Sequence, residues 1–96
     1  MTKATHAEIE EALQTLSGWS VVNHKLHKKY KFADFVHAFG FMATAAIAIE
    51  KMNHHPEWTN VYNAVEVDLT THDAGGITKK DFALATLLES LAEKLQ

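Results

Sequence analysis

The single proline, Pro56, separates a segment with helical spacing from a segment with strand-like alternation. Apolar residues recur at helical spacing from Phe35 to Ile49, whereas the residues after Pro56 alternate in the manner of a strand. Proline cannot continue a helix, and it pushes the preceding residue, His55, toward an extended conformation. The segment from Asn53 to Pro56 is therefore predicted to join a long helix to a strand.

Three histidines lie at predicted ends of helices and strands. His54 and His55 are adjacent at the helix-to-strand junction, and His72 follows a later predicted strand. The unperturbed pKa of an imidazole lies near neutrality, so one ring can accept a proton while another donates one. This pattern indicates proton-transfer chemistry, with these three side chains as the candidates.

The residues before the long helix predict one short helix and two strands. Thr5 and Glu8 have the spacing of a capping box, which opens a helix over about residues 5–16. Asn23-His24 has the composition of a turn between two strands. Lys28 interrupts the apolar face of the second strand, which predicts a position near an edge of the sheet.

Apolar spacing also predicts which faces are buried in the remaining elements. The residues after Pro56 form a hairpin with Asn63 at its turn, and Thr78 and Asp81 form a second capping box that opens the last helix. The stripe predicted to be buried on the long helix consists of Phe35, Val36, Phe39, Ala43, Ala46, Ile47 and Glu50. In the later elements it consists of Val65, Val67, Leu69, Leu84, Leu88, Leu91 and Leu95.

The order of elements is helix, two strands, helix, two strands, helix. Strands joined by hairpins pair antiparallel, and helices gathered on one face of such a sheet form an α+β fold. The prediction is a four-stranded antiparallel sheet with three helices packed on one face. A length of 96 residues predicts a single domain over residues 1–96.

Composition excludes several functional classes. Cys is absent, so disulfides, thiol catalysis and thiolate metal ligands are excluded, and a cytoplasmic location is expected. The N-terminus lacks the apolar core of a signal peptide, and the apolar run from Phe35 to Ile49 is too short and too polar to predict a membrane span. The formal net charge is -3 and there is no Arg, so direct nucleic-acid binding is not expected.

Other interpretations of the histidines stay open at this point. His54 and His72 could join an acidic residue around zinc, although their spacing matches no common ligand pattern and no metal is predicted. A histidine near a helix C-terminus is also favoured by the helix dipole alone. Asp81 has a complete structural explanation as the third residue after the Thr78 cap.

A family resemblance favours the catalytic interpretation. Glu50, followed after three residues by His54-His55-Pro56 and later by Tyr62, His72 and Asp81, resembles the signature of the pterin-4a-carbinolamine dehydratases. The similarity runs from about Trp19 to the last helix. It includes Lys31-Phe32, Asp34-Phe35, Ala38-Phe39-Gly40-Phe41-Met42, His54-His55-Pro56-Glu57-Trp58, Asn60-Val61-Tyr62-Asn63 and Thr71-His72.

The resemblance implies an activity and a set of site residues. The family dehydrates 4a-hydroxytetrahydropterin to quinonoid dihydropterin and water, without metal or cofactor, and so recycles tetrahydrobiopterin for aromatic amino-acid hydroxylases. The implied catalytic residues are His54, His55, His72 and Asp81. The implied substrate-binding residues are Asn53, His54, His55, Thr70, Thr71, His72 and Asp73.

The resemblance names these residues, and their individual roles are predicted as follows. Pro56 fixes the backbone directly after His55, and His55 is therefore predicted to be the base. His54 and His72 then serve as the acid on the hydroxyl side and its orienting partner. Asn53 stands where some members have Asp, and Asp73 where some have Glu, which can shift substrate affinity.

The resemblance also implies partners. A homodimer or homotetramer is expected, with the open sheet face or the leucine-rich last helix buried between subunits. Coupling to an aromatic amino-acid hydroxylase is a further expectation. One rival function is protein interaction, since animal members of the family bind a liver homeodomain transcription factor. Another rival function is a role in cofactor assembly.

Overall fold

The computed structural model describes residues 2–96 as an α+β fold. Its elements in chain order are α1 (His6–Thr15), β1 (Ser20–Val22), β2 (Lys25–Lys31), α2 (Phe35–Met52), β3 (Glu57–Val61), β4 (Ala64–Leu69), a one-turn 3-10 helix (His72–Ala74) and α3 (Lys79–Leu95). The predicted order of helices and strands is confirmed. Both predicted capping boxes are present, at Thr5 with Glu8 and at Thr78 with Asp81.

The four strands form one antiparallel sheet in the order β1-β2-β4-β3. Asn23 and His24 both have positive φ, the geometry that a two-residue hairpin turn requires. Leu26 of β2 lies opposite Leu69, and Glu57 of β3 lies opposite Asp68. The start of β3, the end of β4 and the turn between β1 and β2 therefore share one end of the sheet.

The structure corrects the position predicted from Lys28. β2 is not an edge strand, because it pairs with β1 on one side and with β4 on the other. Lys28 interrupts the apolar face for another reason. Its Nζ lies 2.5 Å from Oε1 of Glu89 on α3 and 2.8 Å from the carbonyl oxygen of Ser17, so the cation is paired where it meets the helical layer.

The core lies between the sheet and the helices. Val65, Val67 and Leu69 of β4 are completely buried, as their alternation predicted. On α3, Leu84 and Leu88 are completely buried, and Leu91 and Leu95 pack partly against the same cluster. The predicted packing of helices on one face of the sheet is confirmed.

The buried face of α2 is not the one predicted. Ala38, Phe41, Ala45 and Ile49 face the core. All seven residues of the predicted stripe are exposed instead: Phe35 (48 %), Val36 (74 %), Phe39 (56 %), Ile47 (76 %), Ala43, Ala46 and Glu50. The helix is apolar on two faces, so its periodicity does not identify the face that meets the sheet. Alanines at the core-facing positions allow the helix to approach its neighbours closely.

The apolar composition of α2 also bears on whether this helix could cross a membrane. Among the helices of residues 2–96, α2 alone is long and apolar enough to cross a membrane, judged by length and composition. Its core-facing residues, however, belong to the same buried cluster as the sheet and α3. The helix therefore acts as a packing element of this domain, and its second apolar face is left at the surface.

The end of α2 sets the direction of the segment that carries two histidines. The helix stops at Met52, before Pro56 is reached, and Asn53 adopts a left-handed conformation (φ 54°). Asn is one of the few residues that tolerate this conformation. The chain then turns out of the helix axis through His54 and His55 into β3.

Candidate active site

Three segments meet at one end of the sheet and carry the predicted site residues. The first joins α2 to β3 and contains His54 and His55. The second follows β4 and contains Thr71 and His72, and the third is the capped N-terminus of α3 with Asp81. Because β3 starts beside the end of β4, residues distant in sequence become neighbours here.

The buried part of the site is centred on Asp81. Nε2 of His54 lies 2.6 Å from Oδ1 of Asp81, and the Thr71 hydroxyl donates to Oδ2 over 2.9 Å. The backbone N–H of Thr78 also donates to Oδ2, over 2.9 Å. The Asp81 side chain is completely buried and that of His54 is 11 % exposed. A buried carboxylate is stable only when hydrogen bonds replace its lost hydration, and here three donors do so.

Asp81 combines the predicted capping role with a contact to His54, and its catalytic role stays a prediction. It completes the capping box of α3 through Thr78, and it holds the ring of His54 at the same time. The two oxygens divide these tasks, since Oδ1 accepts from the imidazole and Oδ2 accepts from the cap and from Thr71. The start of α3 thus fixes the orientation of a histidine that comes from another element.

The other two histidines lie nearer the surface, and each also meets a carboxylate. Nε2 of His55 lies 2.8 Å from Oε1 of Glu50, the last acidic residue of α2. Nε2 of His72 lies 3.2 Å from Oε2 of Glu57, the first residue of β3. The side chain of His55 is 55 % exposed and that of His72 is 79 % exposed.

All three histidines thus use the same nitrogen toward a carboxylate. A neutral imidazole has one donor and one acceptor nitrogen, and a carboxylate at Nε2 selects the tautomer with the proton there. Nδ1 of His54, His55 and His72 then carries the reactive lone pair, and no protein hydrogen bond reaches it within residues 2–96. Such a ring is a base at Nδ1 when neutral and an acid there when protonated.

The remaining predicted site residues contact the cluster less directly. Asn53 and Asp73 are exposed and Thr70 is half-buried, and within the part of the chain that the structure describes no side-chain hydrogen bond joins them to the histidines. Thr71 is buried, and its hydroxyl is engaged by Asp81 and Thr78. Its backbone N–H and carbonyl are bonded to Gly76. The geometry therefore makes Thr71 a support for Asp81.

Sequence reasoning did not assign a role to two charged residues of the site. Glu57 accepts from His72 and is also 2.5 Å from Nζ of Lys25, the first residue of β2. The hydrogen bond from Lys25 is the largest of the contacts that hold the pKa of Glu57 below its ordinary value, and His72 adds to it. The sequence offered two signals for Glu57: its position directly after Pro56 and its place within the family similarity. Lys25 gave none, because its contact crosses the sheet.

The zinc alternative finds no ligand cluster in this geometry. Within residues 2–96, no group of three or more His, Asp or Glu side chains is placed to hold a metal ion. Each histidine of the site is instead hydrogen-bonded to its own carboxylate.

A groove of about 560 Å³ lies beside the site, between α1 and β1. Its walls include Trp19, Val21 and Ile77, and its rim includes Gly75 and Gly76, which follow the His72 turn. None of the three paired histidines lines it. The groove and the histidine cluster are therefore separate features of the same end of the molecule.

Together, the fold and the site define a small α+β protein with a carboxylate-paired histidine cluster at the end of an antiparallel sheet. A sequence model of the pterin 4 alpha carbinolamine dehydratase family matches residues 2–91. The chain belongs to this family, which confirms the resemblance seen in the sequence.

Individual relatives agree over nearly the full chain. A protein of Solibacter usitatus (strain Ellin6076), provisionally named a pterin-4-alpha-carbinolamine dehydratase, is 65 % identical over 91 residues, covering 95 % of this chain and 96 % of that protein. A relative from Rhizobium johnstonii, named in the same way, is 50 % identical over 96 residues and covers 98 % and 95 %. The crystal structure of a transcriptional coactivator/pterin dehydratase from Brucella melitensis superposes with a TM-score of 0.92 at 44 % identity, covering 95 % of this chain and 99 % of that one.

Proposed function

We propose that this protein dehydrates 4a-hydroxytetrahydropterin to quinonoid dihydropterin by acid–base catalysis at its histidine cluster. The observation that carries the proposal is the repeated pairing of Nε2 with a carboxylate at His54, His55 and His72. Such pairing prepares three Nδ1 atoms for proton transfer. Membership of the dehydratase family supports the substrate class.

The reaction needs two proton movements and no change of oxidation state. A base removes the proton from N5 of the pterin while an acid protonates the 4a-hydroxyl group. The C4a–O bond breaks, water leaves, and the electron pair from N5 forms the C4a=N5 bond. Each well-placed acid or base contributes about 100- to 10,000-fold to such a reaction.

We assign the base to His55. Its ring is half-exposed, so it can meet a substrate that enters from solvent, and Pro56 and Glu50 restrict its backbone and its ring. His54 and His72 are then the acid on the hydroxyl side and its partner. Asp81 acts through His54, because its carboxylate is completely buried and its other partners within residues 2–96, Thr71 and Thr78, are buried as well.

The substrate-binding proposal rests on the two turns beside the histidines. Asn53 and Asp73 are exposed at these turns, and Thr70 lies between the end of β4 and Thr71. Their side chains and backbone groups can hydrogen-bond a planar pterin ring. Thr71 contributes indirectly, because its own polar groups are already engaged.

We infer that the protein forms homodimers or homotetramers. Phe35, Val36, Phe39 and Ile47 leave a continuous apolar face of α2 at the surface, here called the α2 face. Exposed apolar patches of this kind mark interaction surfaces in soluble proteins. We propose the α2 face, beside the open sheet face, as a candidate interface, and in preference to the last helix, because the leucines of α3 pack inside the domain.

The physiological setting is a further part of the proposal. A dehydratase for this substrate acts downstream of a hydroxylase that releases the 4a-hydroxypterin, so we expect coupling to an aromatic amino-acid hydroxylase in the cytoplasm. The 96 residues act as one catalytic domain without metal or redox cofactor, because the reaction as written requires neither.

Protein interaction is the second candidate function. The α2 face favours it, and the related Brucella melitensis protein is described as a transcriptional coactivator as well as a pterin dehydratase. Co-purification of a DNA-binding partner, lost on substitution of Val36 by Glu, would support this function. Dehydratase activity alone would not count against it.

Stopped-flow ultraviolet absorbance tests the proposed activity. The substrate is generated in situ by a phenylalanine hydroxylase, and its decay is followed with the wild-type protein, with His55→Ala and with no addition. We expect acceleration by the wild type and a loss of about 100-fold or more in His55→Ala. A folded His55→Ala protein with near-normal turnover would contradict the assignment of the base.

A further inference from the structure

We propose that Glu57 is a positioning residue for His72, and that Lys25 holds Glu57 in the required place. The proposal rests on the proposed function, because it assumes that the Nδ1 atom of His72 faces the reacting pterin. It adds two residues to the site, one from the start of β3 and one from the start of β2.

The two oxygens of the Glu57 carboxylate have different partners. Oε1 lies 2.5 Å from Nζ of Lys25, and Oε2 lies 3.2 Å from Nε2 of His72. A cation on one oxygen limits rotation of the carboxylate, so the other oxygen stays directed at the imidazole. The same arrangement recurs at Asp81, where the α3 cap fixes one oxygen and the His54 ring meets the other.

Glu57 also connects the two segments that carry the histidines. His54 lies on the segment that leads into β3, and it is tied through Asp81 to Thr71, the neighbour of His72. Glu57 lies on the same segment as His54 and is tied directly to His72. The two segments are therefore linked on the buried side by Asp81 and on the exposed side by Glu57.

The charge balance of the open sheet face explains why Lys25 is needed. Glu57 lies directly opposite Asp68, and two like charges in this position repel each other. Two residues of β2 offset these negative charges. Lys25 pairs with Glu57, and Nδ1 of His27 lies 2.9 Å from Oδ1 of Asp68. We therefore expect the Lys25 ammonium to hold the Glu57 carboxylate in place against repulsion by Asp68.

Kinetics of point variants provide the test. Glu57→Val removes both acceptors and keeps a residue suited to a strand, Glu57→Gln keeps one acceptor oxygen, and Lys25→Met keeps the chain length without the charge. The matched controls are Glu66→Val and Lys29→Met, which change the same residue types on the same open face away from His72.

We expect Glu57→Val to lower kcat about 3- to 5-fold with KM nearly unchanged, as suits an exposed pair that orients a ring. Glu57→Gln should lie between Glu57→Val and wild type, and the two controls should match wild type. Lys25→Met should lower kcat as well, but it should have no further effect in the Glu57→Val background, because it acts through Glu57. Additive losses in the double variant would overturn the role of Lys25.

Nitrogen-15 spectra of the histidine rings give a readout that does not depend on activity. The ring resonances of His72 should shift in Glu57→Val and Lys25→Met, and those of His54 should not. If the wild type accelerates dehydration but the His72 ring resonances and kcat are unchanged in Glu57→Val, the positioning proposal is wrong and the proposed function stands. If the wild type gives no acceleration, the proposed function itself is wrong, and the positioning role falls with it.

Discussion

At the scale of single residues, the site depends on the pairing of each histidine with one carboxylate. The sequence predicted the histidines as site residues from their type and from their positions at element ends. It identified Asp81 through a capping box and a family signature, with no indication that one carboxylate serves both tasks. The contacts of Glu57 with Lys25 and His72 could not be predicted, because they depend on which strands are neighbours and on side-chain reach across the sheet. The contact of Glu50 with His55 depends on the left-handed turn at Asn53, which spacing alone does not reveal.

Asp81 gives the sharpest prediction at this scale. Asn has one acceptor oxygen, whereas three donors point at the Asp81 carboxylate, so Asp81→Asn must leave at least one buried donor badly paired. We expect a loss of about 1–3 kcal/mol in the free energy of unfolding. Because the His54 ring loses its orientation, turnover should also fall about 10-fold or more.

Urea denaturation and stopped-flow turnover of Asp81→Asn measure the two effects. The matched control is Glu8→Gln, which alters the equivalent position of the other capping box, on α1, where the contacts stay within the box. The control should leave turnover at the wild-type value. Normal turnover in Asp81→Asn would mean that this carboxylate is only a helix cap.

At the scale of elements, most of the fold followed from spacing, and the main error concerned α2. Alternation correctly gave the buried face of β4, since only one of its faces is apolar. The α2 helix has two apolar faces, and the prediction from spacing alone chose the wrong face as the buried one. The observed packing instead uses the face with Ala38 and Ala45, where small side chains admit the neighbouring elements.

A second device at this scale holds α3 against the sheet. Oε1 of Glu89 accepts from the Trp19 indole over 2.9 Å, from the Tyr30 hydroxyl over 2.7 Å and from Lys28 over 2.5 Å. Burial tends to raise the pKa of Glu89, but the hydrogen bonds from Lys28, Tyr30 and Trp19 outweigh it. The pKa of Glu89 in the folded protein therefore lies below the ordinary value of 4.5.

Glu89 therefore gives stability a defined dependence on pH. A lowered pKa in the folded state stabilises the protein fully above pH 4.5, and this contribution is lost as the pH falls through the folded pKa. We expect Glu89→Gln to lose about 1–3 kcal/mol of unfolding free energy near neutral pH. Urea denaturation at several pH values should show this gap narrowing below pH 4.5.

The control for this prediction is Glu93→Gln, one turn further along the exposed side of α3. It should give little difference from wild type at any pH, as is usual for surface substitutions. A Glu89→Gln gap that stays constant from neutral to acid pH would contradict the stabilising role of this network.

At the scale of the whole molecule, the α2 face is the largest departure from an ordinary surface. Half of the exposed large apolar residues within residues 2–96 lie on this one helix. If this face joins subunits, a charge placed there must be buried without a partner, which strongly disfavours association. Phe39→Glu and Ile47→Glu should therefore convert the assembly to smaller species in light scattering.

A matched substitution on the open side of the sheet distinguishes the two candidate surfaces. Val61 of β3 is 75 % exposed, almost the same as Ile47 at 76 %. Val61→Glu should leave the mass of the assembly unchanged. Dissociation by Val61→Glu together with an unaffected Ile47→Glu protein would assign the interface to the sheet.

The proposed dehydration depends on the carboxylate-paired histidines. The most direct measurement is the stopped-flow decay of 4a-hydroxytetrahydropterin with the wild-type protein and with a variant in which His54, His55 and His72 are all replaced by Ala, its fold checked by circular dichroism. Catalysis by these histidines predicts acceleration by the wild type and, for the folded triple variant, the rate without enzyme. Equal acceleration by both proteins, or none by the wild type, would contradict it.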